Sequence, residues 1–354
     1  MRTRQLTTTI VMTAITLCAV GVGLLGSGGT AHASASTSTQ AMFGPPTEGT
    51  KVVLSETSID GPGLWTNPVT TPKAILAWTG TDTTHRLNLL TSNDGLHYSN
   101  KHILPETSLW RPGVAFDQGG RGAPYGQIAV AWTGTDSAHT LNVEYIATPD
   151  FTVTKQFTFW GETSFTAPSV AFINDDLYLA WAGTDRAHTL NTLHISRTLE
   201  VQEKHTFWGW TTISRPDLSF DAATSQLLLA WTRTDTRIAF AQRDGAGSWS
   251  MPPSSPLVPF TPFAPSMMGL NTSATPTHWV AWHGQGEFTS RRIFVQYTTA
   301  FPVWENSGMG SVLGEWAISG PELGYVGVDR QVLVSWTGID TQHHLNVAVV
   351  SVSA

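Results

Sequence analysis

Hydrophobic and polar positions divide most of this chain into short apolar segments separated by turn residues. Residues 128–132 and 177–181 are apolar at every position, which indicates strands buried on both faces. Other apolar segments open with a proline, as at residues 112–116 and 168–172. Proline suits the first residue of a strand, where it has no ladder donor to lose. After the N-terminal region no segment shows convincing helical periodicity, so the pattern predicts an all-β protein.

One polar turn follows the fully apolar segments again and again. The sequence Trp-Thr-Gly-Thr-Asp-x-x-His-x-Leu-Asn is complete at residues 78–88 and 132–142, and it returns with one substitution at 181–191 and 336–346. Decayed copies start at Trp231 and Trp282. The six tryptophans are separated by 49 to 54 residues. A fixed period of this size is typical of a solenoid, a propeller or an array. We number the six copies as repeats one to six.

Each repeat carries four predicted short strands, so residues 51–354 are predicted to form a six-bladed β-propeller of four-stranded antiparallel blades. The last repeat stops after its third strand, at residues 347–351. A segment that matches the missing fourth strand stands at residues 51–55. The N-terminal strand is therefore expected to complete the last blade and close the ring.

The first 33 residues have the pattern of a signal peptide. Arg2 and Arg4 precede an apolar stretch, and Ala31-His32-Ala33 supplies the small residues that signal peptidase requires. An uncleaved membrane anchor is the alternative. Residues 34–50 are rich in Ser and Thr and are predicted to be a disordered lead-in. The expected location is secreted or extracellular, without membrane insertion once the signal is cleaved.

Charge and cysteine content narrow the classes of partner and chemistry. Cys18 is the only cysteine and lies in the predicted signal, so the mature chain has no disulfide and no cysteine-based metal site or catalysis. The net charge of −7 argues against nucleic acid and anionic membranes as partners. We predict no metal site and no cofactor, with a structural calcium ion left open, and we expect a monomer.

Strand order places the repeated turn and the crossover to the next repeat on the same face of the ring. That face carries Asp and His from the turns, and Glu and Trp from the crossovers. Carboxylates and imidazoles bind hydroxyl groups and aromatic faces stack on sugar C–H surfaces, so the face is predicted to bind glycans. The candidate ligand-binding residues are His85, His139, His188, His343, Asp82, Asp136, Asp185, Asp340, Glu56, Glu106, Glu162, Glu315, Trp110, Trp160 and Trp208.

Structural roles compete with binding for the same residues. The repeated Asp is able to bond its own turn, the repeated Asn is most simply a satisfied buried group, and the motif Trp suits packing between blades. A structural role in the turn explains the repeated His least well. In repeat four Asp235 is kept, while Ile238 and Ala241 stand at the spacing of His and Asn. Their joint loss suggests that His and Asn share a task.

The repeated Gly-Thr-Asp turn resembles the blade motifs of propeller lectins. A second resemblance is to sialidase-type propellers, which carry Asp-boxes between the third and fourth strands of a blade. Ser92-Asn-Asp94-Gly95-Leu-His-Tyr98 is an approximate match at that turn, and the segment from Arg243 to Trp249 is a looser one. The sialidase resemblance implies an arginine cluster, a Tyr paired with Glu as nucleophile, and an Asp acid/base. Arg111-Pro112 and Arg215-Pro216 are only loosely similar to its Arg-Ile-Pro motif.

Three functions follow from these patterns. We favour a lectin-like protein with repeated, pseudo-equivalent sites, since near-identical motifs make equivalent sites and an enzyme generally needs one asymmetric constellation. The alternative is a glycoside hydrolase of the sialidase-like or furanosidase-like type with one central site. A propeller scaffold for protein contacts is the third. For the hydrolase, the candidate catalytic residues are Asp217, Glu287, Glu322, Arg111 and Arg215.

Overall fold

The computed structural model describes the chain from residue 46 onward, with gaps. The described residues are 46–117, 126–173, 175–221, 224–251, 260–270, 277–284, 291–298, 301, 311–325, 327 and 331–352. The predicted signal peptide, most of the predicted lead-in and Glu287 lie outside them. The described residues form strands β1 to β24 and no helix, so none of them belongs to an apolar helix of membrane-spanning length.

Each repeat corresponds to four consecutive strands, except that repeat six takes its fourth strand from the N-terminus. Repeat one contains β2 (Gly63–Thr66), β3 (Ala74–Thr79), β4 (Arg86–Ser92) and β5 (Tyr98–Thr107). Repeat two contains β6 (Gly113–Asp117), β7 (Gln127–Thr133), β8 (Thr140–Ala147) and β9 (Thr152–Thr163). Repeat three contains β10 (Ser169–Ile173), β11 (Asp176–Ala182), β12 (Thr189–Ile195) and β13 (Val201–Thr211).

The second half of the chain follows the same plan. Repeat four contains β14 (Asp217–Asp221), β15 (Gln226–Thr232), β16 (Ile238–Arg243) and β17 (Trp249–Ser250). Repeat five contains β18 (Ser266–Leu270), β19 (Thr277–His283), β20 (Arg292–Thr298) and β21 (Ser311–Trp316). Repeat six contains β22 (Glu322–Tyr325), β23 (Gln331–Thr337), β24 (His344–Val352) and β1 (Pro46–Thr57).

The strands form a propeller-like arrangement of small antiparallel sheets. Repeats one, two, three and six are separate four-stranded sheets. Repeats four and five share one eight-stranded sheet, in which two antiparallel halves are joined by a single parallel pair, Asp221 with Gly269. The expectation of six separate sheets is therefore met for four of the repeats. The first strands of consecutive repeats contact one another, and β2 also contacts β22.

The N-terminal strand forms the outer strand of the sheet of repeat six. Lys51 pairs with Ala348 and Val53 pairs with Asn346, in antiparallel register with β24. β1 begins at Pro46, so its first residues belong to the segment that we predicted as a disordered lead-in. Strands from the two ends of the chain thus share one sheet.

Burial of the motif tryptophans connects neighbouring sheets. All six are at most 6% exposed. Trp132 of repeat two packs in one cluster with Ile75 and Leu87 of repeat one, and Trp181 of repeat three packs with Leu141 of repeat two. A fully buried large apolar side chain contributes roughly 1.5–3 kcal/mol. Stability therefore comes from apolar interfaces between successive sheets.

Removal of β1 should abolish cooperative unfolding. A chain that starts at Ser58 leaves β24 without its outer partner, whereas a chain that starts at Pro46 keeps every described strand. The whole stability of a domain is only about 5–15 kcal/mol, so loss of one full ladder is a large fraction of it. Thermal unfolding followed by circular dichroism measures both chains. Equal transitions for the two would show that β1 is dispensable.

Candidate functional site

The repeated aspartate closes its own turn. Asp136 accepts hydrogen bonds from the backbone N–H of Ala138 at 2.9 Å and of Thr140 at 3.1 Å, and from the Thr140 hydroxyl at 3.0 Å. Burial acts to raise the pKa of Asp136, but these hydrogen bonds outweigh it and lower the pKa below its usual value. Asp82, Asp185 and Asp340 are arranged in the same way.

The glycine and the asparagine of the motif pack against that carboxylate. A Cβ atom on Gly134 would lie 2.6 Å from Asp136 Oδ2 and 3.1 Å from Asn142 Nδ2. Asn142 donates to the carbonyl oxygen of Thr140 at 2.8 Å and accepts from the Thr158 hydroxyl at 2.7 Å. Gly, Asp and Asn thus form one closely packed unit, and it recurs at Gly80, Gly183 and Gly338.

The repeated histidine occupies a special backbone position. His85, His139, His188 and His343 have φ values of 53°, 57°, 50° and 58°, in the left-handed region that few residue types enter readily. The carbonyl oxygen of His85 accepts a hydrogen bond from the N–H of Ser108 in the crossover at 3.1 Å. The turn and the crossover therefore lie on the same side, as predicted. Thr236 and Arg291 hold this position in repeats four and five, with φ of 64° and 82°.

The sequence alignment of repeat four was wrong. Trp231 pairs with Ala239, eight residues on, whereas Trp78 pairs with Asn88, ten residues on. Without the Gly, Asp and Asn unit the turn is two residues shorter. Thr236 and Ala239, rather than Ile238 and Ala241, therefore stand where His and Asn stand elsewhere. Asn is thus lost together with the glycine that it packs against, while Asp235 is kept and accepts the N–H of Arg237 at 3.3 Å. A task shared by His and Asn is therefore not needed to explain the loss of Asn.

The imidazole rings turn toward the crossovers. His188 stacks on Phe165 with ring centroids 3.8 Å apart, and His139 meets the edge of Trp110 at 5.2 Å. His188 Nδ1 also lies 3.3 Å from the carbonyl oxygen of Gly183. These rings are half-buried. The histidine rings therefore lie in a different environment from that of the predicted carboxylates, beside aromatic residues of the crossovers.

Two of the predicted carboxylates, Glu56 and Asp82, line a groove between neighbouring repeats. The groove between repeats six and one has a volume of about 410 Å³. In it, Lys101 Nζ lies 2.5 Å from Glu56 Oε2 and 5.6 Å from the centre of the Trp78 ring. The hydroxyl groups of Thr57 and Thr81 lie 2.6 Å apart across the groove. Its lining also includes Asp82, Thr84, Arg86, Asn88 and Ile103.

The same lysine arrangement occurs at two further junctions. Lys204 lies 2.5 Å from Glu162 and 5.9 Å from the Trp181 ring, and Lys51 lies 2.6 Å from Glu315 and 5.4 Å from the Trp336 ring. Each lysine belongs to the fourth strand of a repeat, and each glutamate ends the fourth strand of the preceding one. In repeat four, Trp210 of the preceding repeat stacks on Trp231 at 5.3 Å instead. The glutamates were predicted from the sequence, and the lysines were not.

Two of the predicted tryptophans project into solvent. Trp160 and Trp208 are each 84% exposed and stand on the fourth strands of repeats two and three. Each is followed by a glycine with positive φ, Gly161 at 96° and Gly209 at 91°. Both glycines lie where the pairing with the third strand changes register. These bulges present two flat aromatic faces outward.

Four of the five catalytic candidates meet in one buried cluster. Arg215 donates to Glu322 at 3.0 and 3.2 Å and to Asp217 at 3.3 Å. Arg111 donates to Glu322 at 3.2 Å and to the carbonyl oxygen of Gly320 at 3.0 Å. All four charged residues are at most 6% exposed. We name these four residues the charge hub; the fifth candidate, Glu287, is outside the described residues.

Every carboxylate oxygen of the charge hub accepts a hydrogen bond. Asp217 Oδ2 accepts the N–H of Met267 at 2.7 Å, and Asp217 Oδ1 lies 3.4 Å from the Ser169 hydroxyl. Burial raises the pKa of Glu322 to about 7, against the lowering effect of the two guanidinium groups. Arg215, Asp217 and Glu322 also line a central cavity of about 780 Å³. Both acids therefore face a cavity that the first strands of the repeats line, and their oxygen atoms accept hydrogen bonds from the protein.

Two aspartates organise the turns between third and fourth strands. Asp94 accepts from the N–H groups of Leu96 at 2.9 Å and His97 at 2.8 Å. Asp244 accepts from the N–H groups of Ala246 at 3.0 Å and Ser248 at 2.8 Å. Both therefore have a structural role in their turn. Across the described residues, no group of three or more His, Cys, Asp or Glu side chains is placed to hold a metal ion.

A buried glutamate that the sequence did not suggest lies in repeat two. Glu144 is fully buried, and neither of its carboxylate oxygens has a hydrogen-bond partner. Burial, and to a lesser degree the negative charge of Glu106, raises the pKa of Glu144 to about 8. Only its position signals it: repeats one, three and six have Leu90, Leu193 and Ala348 two residues after the motif Asn.

Known proteins resemble this chain in fold only. No family model and no curated protein matches its sequence. The structure is similar to a fungal lectin of Aleuria aurantia, described as a six-bladed β-propeller with a novel fucose recognition mode, at 10% identity and a TM-score of 0.58, covering 85% of this chain and 96% of the lectin. A protein of unknown function from Dyadobacter fermentans has 11% identity and a TM-score of 0.56, with 87% and 99% covered.

Sialidases are also among the similar structures. The sialidase of Trypanosoma rangeli has 12% identity and a TM-score of 0.52, and the match covers 87% of this chain. This chain matches only 58% of the length of that enzyme. Lectin and sialidase propellers are therefore both represented, and at these identities the similarity shows the propeller fold alone.

Replacing the motif glycine should destabilise its turn. In Gly134→Ala, the new methyl group meets Asp136 Oδ2 and Asn142 Nδ2, so we expect a loss of about 1–3 kcal/mol in the free energy of unfolding. Gly245→Ala is the control, because its Cβ would meet nothing within 4 Å. Chemical denaturation measures both. Equal stabilities for the two variants would contradict the packed Gly, Asp and Asn unit.

Stability should fall as Glu144 ionises. The pKa of Glu144 is raised by burial from 4.5 to about 8, so the folded protein holds this proton more tightly than the unfolded chain. Its contribution is complete below pH 4.5 and is lost as the pH rises to about 8, by about 1.4 kcal/mol per pH unit. Glu144→Gln should flatten the fall between pH 5 and 8. The exposed control Glu200→Gln should keep the wild-type slope in the same denaturation series.

Proposed function

We propose that this protein is a secreted, lectin-like six-bladed β-propeller that binds glycans in grooves between its blades. The observation that carries the proposal is the repeated groove, in which a Glu–Lys pair lies above a buried tryptophan and beside exposed hydroxyl and carboxylate groups. The Glu–Lys pair occurs at the junctions of Glu56 with Lys101, Glu162 with Lys204 and Glu315 with Lys51. Paired threonine hydroxyl groups accompany it at the first two junctions, whereas Trp316 takes the place of the threonine at the third.

Several contacts support six blades and a closed ring. The eight-stranded sheet is continuous through one parallel residue pair only, so its halves correspond to two blades. The first strands of repeats one and six are in contact, and β1 completes the sheet of repeat six. In this ring all grooves open on one face, together with the histidine turns.

The chemistry of the grooves suits sugars. Arg86 is exposed in the groove of repeat one, beside Thr81 and Asp82, and together they offer donors and acceptors for several hydroxyl groups. Trp160 and Trp208 add exposed flat faces for sugar C–H surfaces. Several weak sites on one rigid body give avidity on a glycan-coated surface. A monomeric propeller is sufficient for such binding.

A glycoside hydrolase is the second candidate, because two carboxylates line the central cavity. Asp217 and Glu322 both contact the same nitrogen atom of Arg215. The hydrogen bonds that saturate these acids favour a structural role over acid/base chemistry. A propeller scaffold for protein contacts has no specific observation in its favour.

Filling the grooves should lower glycan avidity in steps. Repeat five carries Trp316 where repeats six, one and two carry Thr57, Thr107 and Thr163, so the fold accepts a bulky residue at this position. We expect the single variant Thr57→Trp, the double variant with Thr107→Trp and the triple variant with Thr163→Trp to bind progressively more weakly on a glycan array. Each step should lower binding by about tenfold or less. The chain from Ser34 to Ala354 is the reference.

Val69→Trp is the matched control, since Val69 is 84% exposed between the first and second strands, at the opposite end of the repeat. It adds the same surface ring without touching a groove. Binding that the triple variant retains would exclude the grooves at these three junctions as glycan sites. If the unmodified chain binds no glycan and instead cleaves chromogenic glycosides, and Glu322→Gln abolishes the cleavage, the hydrolase replaces the lectin.

A further inference from the structure

The groove between repeats one and two departs from its counterparts. In repeat three Lys204 pairs across the strands with Leu193, and in repeat six Lys51 pairs with Ala348. In repeat two the corresponding pair is Gln156 with Glu144. The lysine has become a neutral amide, and its apolar neighbour has become an acid. The positive charge found at the other three Glu-containing junctions is therefore absent here, and a buried ionisable acid has been added.

Three carboxylate oxygens remain unpaired at this junction. Both oxygens of Glu144 are buried without a partner, and so is Glu106 Oε2. The other oxygen of Glu106 accepts a hydrogen bond from the Gln156 amide at 3.1 Å. Burying a carboxylate without a compensating partner is costly, so such groups are normally paired or bound to a cation. Glu144 and Glu106 are thus incomplete as they stand.

The motif tryptophan of repeat two, although buried, also lacks the ring partner of its counterparts. In repeats one, three and six a lysine ammonium group lies 5.4 to 5.9 Å from the motif ring, and in repeat four Trp210 stacks on it. Trp132 has no such ammonium or ring partner among the described residues. Trp132 pairs with Asn142, and Glu144 follows two residues later, so both side chains point to the same face of the sheet. The unpaired acid and the Trp132 ring therefore face the same junction.

We propose that this junction binds a primary ammonium group of a ligand, which takes the place of the missing lysine. An ammonium group has three donors, matching the three unpaired oxygens of Glu106 and Glu144, and its charge is attracted to the face of Trp132. A metal ion is the poorer fit, because no group of three metal-ligating side chains is present in the described part of the chain. The ligand class is an amino sugar with a free amine; this assignment rests on the proposed glycan function.

The experiment measures binding of methylammonium and of D-glucosamine to the full chain by isothermal titration calorimetry, with D-glucose and potassium chloride as reference ligands. We expect one site for both amines and no comparable heat from glucose or potassium. Gln156→Lys restores the lysine of the other repeats and should weaken amine binding at least tenfold while raising the melting temperature. Gln202→Lys adds the same charge at an exposed position of β13 and should leave binding unchanged.

Glu144→Leu copies repeat three and gives a second, independent variant. It should also abolish amine binding, and it removes the buried acid without adding a charge. Absence of amine binding to the wild-type chain would overturn the proposal, as would equal affinity in the wild type and Gln156→Lys. Binding of methylammonium without binding of glucosamine would overturn the amino sugar and keep the ammonium site. If the protein binds no glycan on the array but still binds the amines, the glycan function fails and the ammonium site stands.

Discussion

The charge hub is the constraint on which the rest of the structure depends. Arg111 and Arg215 hold Glu322 from two sides, and Asp217 ties Arg215 to the backbone of Met267. Breaking a buried pair by removing one partner costs about 3–5 kcal/mol, because the other charge is left uncompensated. Repeats two, four and six supply these charges, while repeats one, three and five supply carbonyl, hydroxyl and N–H partners. The inner strands are therefore held by a single shared network.

Repetition and divergence serve different regions of the same sheets. At the turns, Gly, Asp and Asn recur because each copy solves the same local packing problem with the same contacts. Near the centre, the residues before the strand-opening prolines must differ, since one space has to accommodate all of them. Gly61 illustrates this: a Cβ atom there would lie 2.9 Å from Arg111 Nη1. Small residues in some repeats make room for arginines in others.

How much the sequence could predict depends on the distance over which each feature is encoded. The strands, the turn and the pairing of the N-terminal strand followed from local patterns, because alternation, proline and Gly-Thr-Asp act within a few residues. The alignment of repeat four failed because a change of turn length moves equivalent positions without leaving a local mark. The Glu56–Lys101 pair was missed because its partners lie on neighbouring repeats. Arg215 and Glu322 were found only through their adjacency to strand-opening prolines.

The departures from the repeat are therefore the informative positions for function. A residue that recurs in every intact copy, such as Asn142, is explained by contacts inside its own turn. A residue that breaks the pattern at a buried position, such as Glu144, has no such explanation and leaves unpaired oxygens behind. Because an unpaired buried carboxyl group lowers stability when it ionises, it requires a bound proton, a compensating partner or a tolerated cost. In a repeat protein the neighbouring copies show what that partner would look like, and here they show an ammonium group over a tryptophan ring.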